Sequence, residues 1–156
     1  MKWLRTVALA GLAAGTLDIL FAFVNNHAIG PVRVLQAVAS GLLGRDAYQG
    51  GLGAAATGLA AHFLLAFGFA TIYFFLARPM RFPLRYWLQA GIVYGLMVFV
   101  VMTYIVVPLS RAAIGGPPDL TVAALWKPLL AHTAFFGVPI AFVTARRVPG
   151  LPGRHM

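Results

Sequence analysis

Three ionisable side chains stand inside apolar runs of this chain: Asp18 in GLAAGTLDILFAFV, His62 in GLAAHFLLAFG and His132 in LLAHTAFFG. One carboxylate and two imidazoles offer several kinds of chemistry. A nearby carboxylate favours the charged imidazole while burial opposes it, a balance that suits a proton relay or a small polar solute. The same three groups can hold a divalent metal with an open coordination position. Alternatively, His62 and His132 on facing helices can be the two axial ligands of a haem b, with Phe63, Phe67, Phe135 and Phe136 flanking the ring. The haem version leaves Asp18 without a role. In the structural alternative, Asp18 hydrogen-bonds a neighbouring helix or pairs with His62, His132 or Lys127 and only fixes helix packing, through interhelical hydrogen bonds worth about 0.6 kcal/mol each. The sequence leaves these readings side by side.

The elements that must position these residues follow from composition. Of 156 residues, 61% are hydrophobic and 10% charged, with a mean hydropathy of +0.87. Soluble domains carry about 25% charged residues, so the chain belongs in a lipid bilayer. Four apolar segments, at about 6–25, 52–77, 86–108 and 121–145, have the length of spanning helices. They predict a single-domain, all-α integral membrane four-helix bundle. Asn25 and Asn26 close the first span, ARPMRFPLR separates the second from the third, and GGPPD precedes the fourth, with Asp119 as its N-cap. Trp126 and Lys127 form an interfacial pair, so the apolar core of the fourth span starts as late as Pro128. At ~1.5 Å per residue, Asp18 lies about 10 Å and the histidines about 16 Å from the outer ends of their helices. An ionisable group facing lipid at such depths costs about 2.5–3.5 kcal/mol, so all three are expected to face the bundle interior.

The formal charge is +9, yet the basic residues flank apolar runs and do not cluster on a soluble face, which argues against nucleic acid as a partner. Lys2, Arg5, Arg78, Arg81, Arg85, Arg146, Arg147 and Arg154 fall on one side of the membrane. Arg33, Arg45, Arg111 and Lys127 fall on the other. The more basic side is expected to be cytoplasmic, which places both termini inside and, in a bacterium, the protein in the inner membrane. MKWLRTVALAGLAAG imitates a signal peptide with cleavage conceivable after Ala10 or Ala14. Its apolar run continues through Val24, the length of a span, and an uncleaved first helix is expected. There is no cysteine, which excludes disulfides and thiol chemistry.

Between the first two spans, Pro31 and Gly44 bracket a short amphipathic helix at about 31–43. Its apolar stripe is Val32, Leu35, Val38, Ala39 and Leu42; Arg33, Gln36 and Ser40 lie off it. It is read as a connector on the outer surface, with a lid over an outward-facing pocket as the alternative. Gly11 with Gly15, and Gly91 with Gly95, are spaced to let helices approach closely. Together with the matching LAAH and LLAH segments they form a weak internal repeat, consistent with two hairpins related by an axis along the membrane normal. Tyr94, Thr103 and Thr133 are expected to hydrogen-bond locally to helix backbone. Pro139 is expected to curve the fourth span, Trp3, Tyr86, Trp87, Tyr104 and Trp126 to form an aromatic belt, and 148–156 to be a tail. No nucleophile–base pair, phosphate loop, HExxH or CxxC motif is present, so ordinary enzyme chemistry has no evident housing. Four spans are few for a monomeric transporter. The expected partners are the bilayer and a homo-oligomer or larger membrane complex in which this chain is an accessory subunit.

In the segments AGTLDI, LQAVASGLLG, LAAHFLLAFG, VVPLS and LLAHTAFFGVPIA the chain resembles an uncharacterised family of small four-span bacterial inner-membrane proteins. The likeness runs from the first span to the fourth. It implies the same membrane architecture and carries no activity with it.

Overall fold

Apolar runs of this length form helices in lipid because a helix satisfies every backbone group within itself. The computed structural model describes residues 2–112 and 121–148. It is 89% helical, with no strand among the described residues. Four helices are long and apolar enough to cross a membrane: Lys2–Asn25, Gly51–Ala77, Trp87–Leu109 and Ala124–Arg147. The first span begins at Lys2 and not at residue 6; the other ends lie close to the expected boundaries. Asp119 and the tail beyond residue 148, with Arg154 and His155, lie outside the described residues.

Around the bundle, the first span packs against the second and the fourth, and the third packs against the fourth. Both glycine pairs sit at such contacts. A Cβ at Gly11 or Gly15 would meet the Phe67 or Phe63 ring of the second span. At Gly91 a Cβ would lie 2.7 Å from the Val138 Cα, and at Gly95 it would run into the His132 carbonyl. The second and third spans do not pack closely along their length. Between them, near the Arg81–Arg85 turn that links them, lies an apolar cleft of about 380 Å³ lined by residues such as Leu76, Met80, Val93 and Met97. Tyr94 bridges this seam, donating its hydroxyl to the Phe69 carbonyl at 2.6 Å. It therefore bonds across to another span and not locally. Thr133 does bond locally, to the Leu129 carbonyl at 2.6 Å.

The last two spans are not uniform α-helices. Met102–Val106 and Ala131–Gly137 widen into π-helical turns. Val107 N–H reaches back five residues to the Met102 carbonyl, and Val138 N–H does the same to Thr133. Each wide turn immediately precedes a proline-bearing turn, with Pro108 in one and Pro139 in the other. Proline supplies no N–H to the carbonyl four residues back, and its ring crowds that carbonyl. A wider turn relieves the crowding and re-pairs the freed groups.

The connector helix runs Gly30–Leu43, with Pro31 in its first turn and Gly44 at φ 66° after its end. Its packed face differs from its apolar stripe. Val34, Gln36, Ala39 and Ser40 are buried, whereas Val32 and Leu42 are exposed. Exposed apolar groups are in keeping with a chain that has four helices apolar enough to cross a membrane, whereas polar groups turn in where a partner stands. Gln36 finds one, donating from Nε2 to the Gly51 carbonyl at 3.1 Å. Gly58 of the second span lies directly beneath the Leu35 carbonyl, a contact that leaves no room for a side chain. Arg111 N–H donates to the Gly41 carbonyl at 2.9 Å, tying the C-terminal end of the third span to the same helix.

Candidate functional site

Asp18, His62 and His132 come from the first, second and fourth spans, and they line one interior cavity of about 50 Å³. Leu65, Phe69, Val98, Met102 and Phe136 complete its wall. The carboxyl group of Asp18 is within electrostatic reach of both imidazoles. All three are half-buried and turn toward this cavity.

Helix packing explains the convergence. The close approach of the first span to the second brings Gly15 beside the histidine-bearing turn, and His62 Nε2 lies 2.8 Å from the Gly15 carbonyl. A carbonyl only accepts, so Nε2 carries the proton and donates. Nδ1 of His62 is then the nitrogen left to take a second proton or a ligand. His132 uses the opposite nitrogen: Nδ1 donates to the Pro128 carbonyl at 2.8 Å, one turn back, leaving Nε2. The wide turn at Ala131–Gly137 begins at this point, and Phe99 edges the His132 ring with centroids 6.0 Å apart. Each imidazole is thus held by one hydrogen bond and keeps one nitrogen in reserve.

Asp18 is held differently. Its Oδ1 is buried and has no hydrogen-bond partner. A buried carboxylate oxygen without a partner is costly, by more than the 1–3 kcal/mol or so of a neutral group. A proton, a water or a ligand atom at Oδ1 removes that cost. The cavity has room for roughly one or two waters at about 30 Å³ each.

A second, larger cavity of about 360 Å³ adjoins the first. Asp18 and His132 line both. The rim of the larger one carries Asn25, Asn26 and Lys127, from the end of the first span and the start of the fourth. It is a vestibule leading from that end of the bundle to Asp18 and His132, with His62 one step further in. Beyond the inner cavity the interior closes: Ala66, Ala70, Phe136 and Ile140 belong to one packed apolar core. The connector helix contributes to neither cavity, so the lid alternative finds no support in its position.

The metal and haem readings fit this geometry poorly. Among the described residues no three His, Asp or Glu side chains are grouped so as to hold a metal ion. A haem between His62 and His132 would need a pocket of several hundred Å³, against the 50 Å³ they share. The neighbouring phenylalanines are engaged in packing. Phe63 and Phe67 cover the glycine pair of the first span, Phe135 stacks on Phe21 at 4.5 Å, and Phe136 edges Phe69 at 6.0 Å.

Sequence reasoning passed over the vestibule. Asn25 and Asn26 read as a helix end, and Lys127 as an interfacial anchor or a partner for Asp18; their common position on one rim follows from the packing of the first span on the fourth. Tyr73 was also missed. Its hydroxyl is buried without a hydrogen-bond partner, and its ring meets Tyr94 edge-on at 4.9 Å. No protein-family model, curated protein or solved structure matches this chain.

Proposed function

We propose that this multi-pass membrane protein binds and releases protons at an Asp18–His132–His62 site reached from the outer face of a bacterial inner membrane. Both termini would be cytoplasmic, because the order of the spans in the sequence assigns eight of the twelve Lys and Arg residues to that side. The observation that carries the proposal is the unpartnered Oδ1 of Asp18, in a cavity shared with two imidazoles. A proton entering by the vestibule meets Asp18 and His132 first, and the reserve nitrogens can accept it. The inner cavity is too small for most solutes but has room for water, which favours proton handling over solute binding at that depth. The larger vestibule leaves room for a small polar solute to bind above the carboxylate. With the interior closed beyond His62, this is a one-sided site, suited to sensing outer pH or to the outward-facing state of a proton-coupled carrier. A carrier would need further spans, from a second copy or from a larger membrane complex.

The rival reading, a purely structural role, draws on the two imidazole–carbonyl hydrogen bonds. Infrared difference spectroscopy of the protein in lipid separates the two. The chain has three acidic residues, so the carboxyl region is simple. A pH step should produce a protonated-carboxyl band that disappears in Asp18→Asn and moves in His132→Gln. A wild-type spectrum with no band dependent on Asp18 would leave the packing role alone standing.

A further inference from the structure

At the opposite end of the bundle from the vestibule, the start of the first span and the end of the fourth come together around a cavity of about 510 Å³. Lys2, Arg5, Arg146 and Arg147 line it, with Thr6 at its base. Among the described residues no carboxylate balances these four cations: Asp18 lies toward the outer end of the first span, and Asp46 lies in the connection beyond it. The helix ends do not balance them either. The C-terminal end of the fourth span supplies about half a negative charge, and the N-terminal end of the first supplies about half a positive one, so the two cancel. The first turn of the first span also contains no acidic residue, and its leading amide N–H groups lack intrahelical acceptors.

Two features make this more than a scatter of anchoring charges. The cations come from two helices distant in sequence, and they flank one open groove with the volume of a ligand pocket. Arg146 is also positioned: its guanidinium lies 4.9 Å over the Phe142 ring, which itself packs edge-on against Trp87 at 5.0 Å. Thr6 turns its hydroxyl to the Lys2 carbonyl at 3.2 Å, leaving the cations as the donors facing the space.

We infer that this cavity binds a phosphate group, and that its source is the phosphodiester headgroup of an anionic membrane lipid. Basic pockets between helix ends at the headgroup level have the charge and the depth for such a group. Arginine suits the task because its planar fork meets two phosphate oxygens at once. A bound lipid would clamp the first span to the fourth, the same pair that forms the vestibule at the other end.

Native mass spectrometry of the full chain released from zwitterionic phosphatidylcholine nanodiscs, titrated with phosphatidylglycerol, tests the inference. Arg146→Gln/Arg147→Gln should weaken phosphatidylglycerol binding about thirtyfold, at about one charge's worth of attraction per residue. Arg146→Lys/Arg147→Lys should retain most of it. The control Arg78→Gln/Arg85→Gln, on the same face of the membrane but outside the cavity, should stay within about threefold of wild type. Equal losses in pocket and control variants would show a diffuse charge effect and overturn the site. Displacement of phosphatidylglycerol by millimolar inorganic phosphate would overturn the lipid assignment in favour of a soluble phosphate. Lys2→Gln/Arg5→Gln, at an exposed helix start, supplies the same comparison under the same criteria should the arginine pair fail to fold.

Discussion

The two hairpins of the bundle share a plan and differ in execution. In each, a glycine pair on the odd-numbered span packs against the span bearing a histidine, and the second glycine, Gly15 or Gly95, lies close to that histidine's turn. In the first hairpin the glycines face phenylalanine rings; in the second they face backbone. Three residues beyond Gly15 stands Asp18, and three beyond Gly95 stands Val98; both line the inner cavity. The two spans of the first hairpin are continuous α-helices without proline, whereas the spans of the second carry Pro108, Pro128 and Pro139 and two wide turns. One hairpin thus supplies the charge from a regular frame. The other supplies an apolar wall and a histidine on irregular backbone, which is tolerated at such depth where it is buried in protein or lines a cavity.

Exchanging the two positions three residues beyond the second glycines should have the largest effect. Val98→Asp places a second carboxylate at a site 1% exposed, beside the first, and should cost about 3–5 kcal/mol as an uncompensated buried charge. Asp18→Val/Val98→Asp returns the cavity to one carboxylate and two histidines, so much of that loss should be recovered. Unfolding in mixed micelles measures both. A double variant no more stable than the single one would mean that the histidines do not serve a carboxylate at either position.

A smaller contrast is expected at the glycines. Gly95→Ala drives a Cβ into the His132 carbonyl, and backbone cannot rotate aside. It should cost about 2–3 kcal/mol, the upper part of the overpacking range. Gly11→Ala meets chiefly the Phe67 ring, which can turn, and should cost about 1 kcal/mol. Thermal unfolding of the two variants side by side checks the order, and equal losses would remove the distinction between ring-spaced and backbone-spaced hairpins.

The smallest effect concerns proline. Pro139→Ala restores a backbone donor, so Ala131–Gly137 should tighten toward α-helix with a stability change below about 1 kcal/mol. Amide hydrogen exchange reads the change directly. Protection in 131–137 should rise toward that of 58–68 in the second span; unchanged exchange would separate the wide turn from the proline.

Much of this was legible from residue types. Span lengths, the bracketing of the connector by Pro31 and Gly44, and the inward orientation of Asp18, His62 and His132 all follow from the cost of polar groups in hydrocarbon. The inward face of the connector was not legible, because a single backbone acceptor on the second span helps decide it: Gln36 turns in to reach the Gly51 carbonyl while Leu42 turns out. Nor were the wide turns, since a proline in a helical run announces a disturbance without saying whether it will be a kink or a wider turn. The vestibule depended on which spans are neighbours. Asn25, Asn26 and Lys127 become one rim because the first span packs on the fourth, a pairing that periodicity does not encode.

The central claim is that three spans assemble one polar site, and the lack of native cysteine allows a direct test of proximity. Asp18→Cys paired with His132→Cys, and Asp18→Cys paired with His62→Cys, should crosslink efficiently with a short bifunctional thiol reagent in native membranes. Leu17→Cys with His132→Cys, one position around the first helix and exposed on its outer face, should not. Equal crosslinking of the Leu17 and Asp18 pairs, or none from either Asp18 pair, would contradict the shared site.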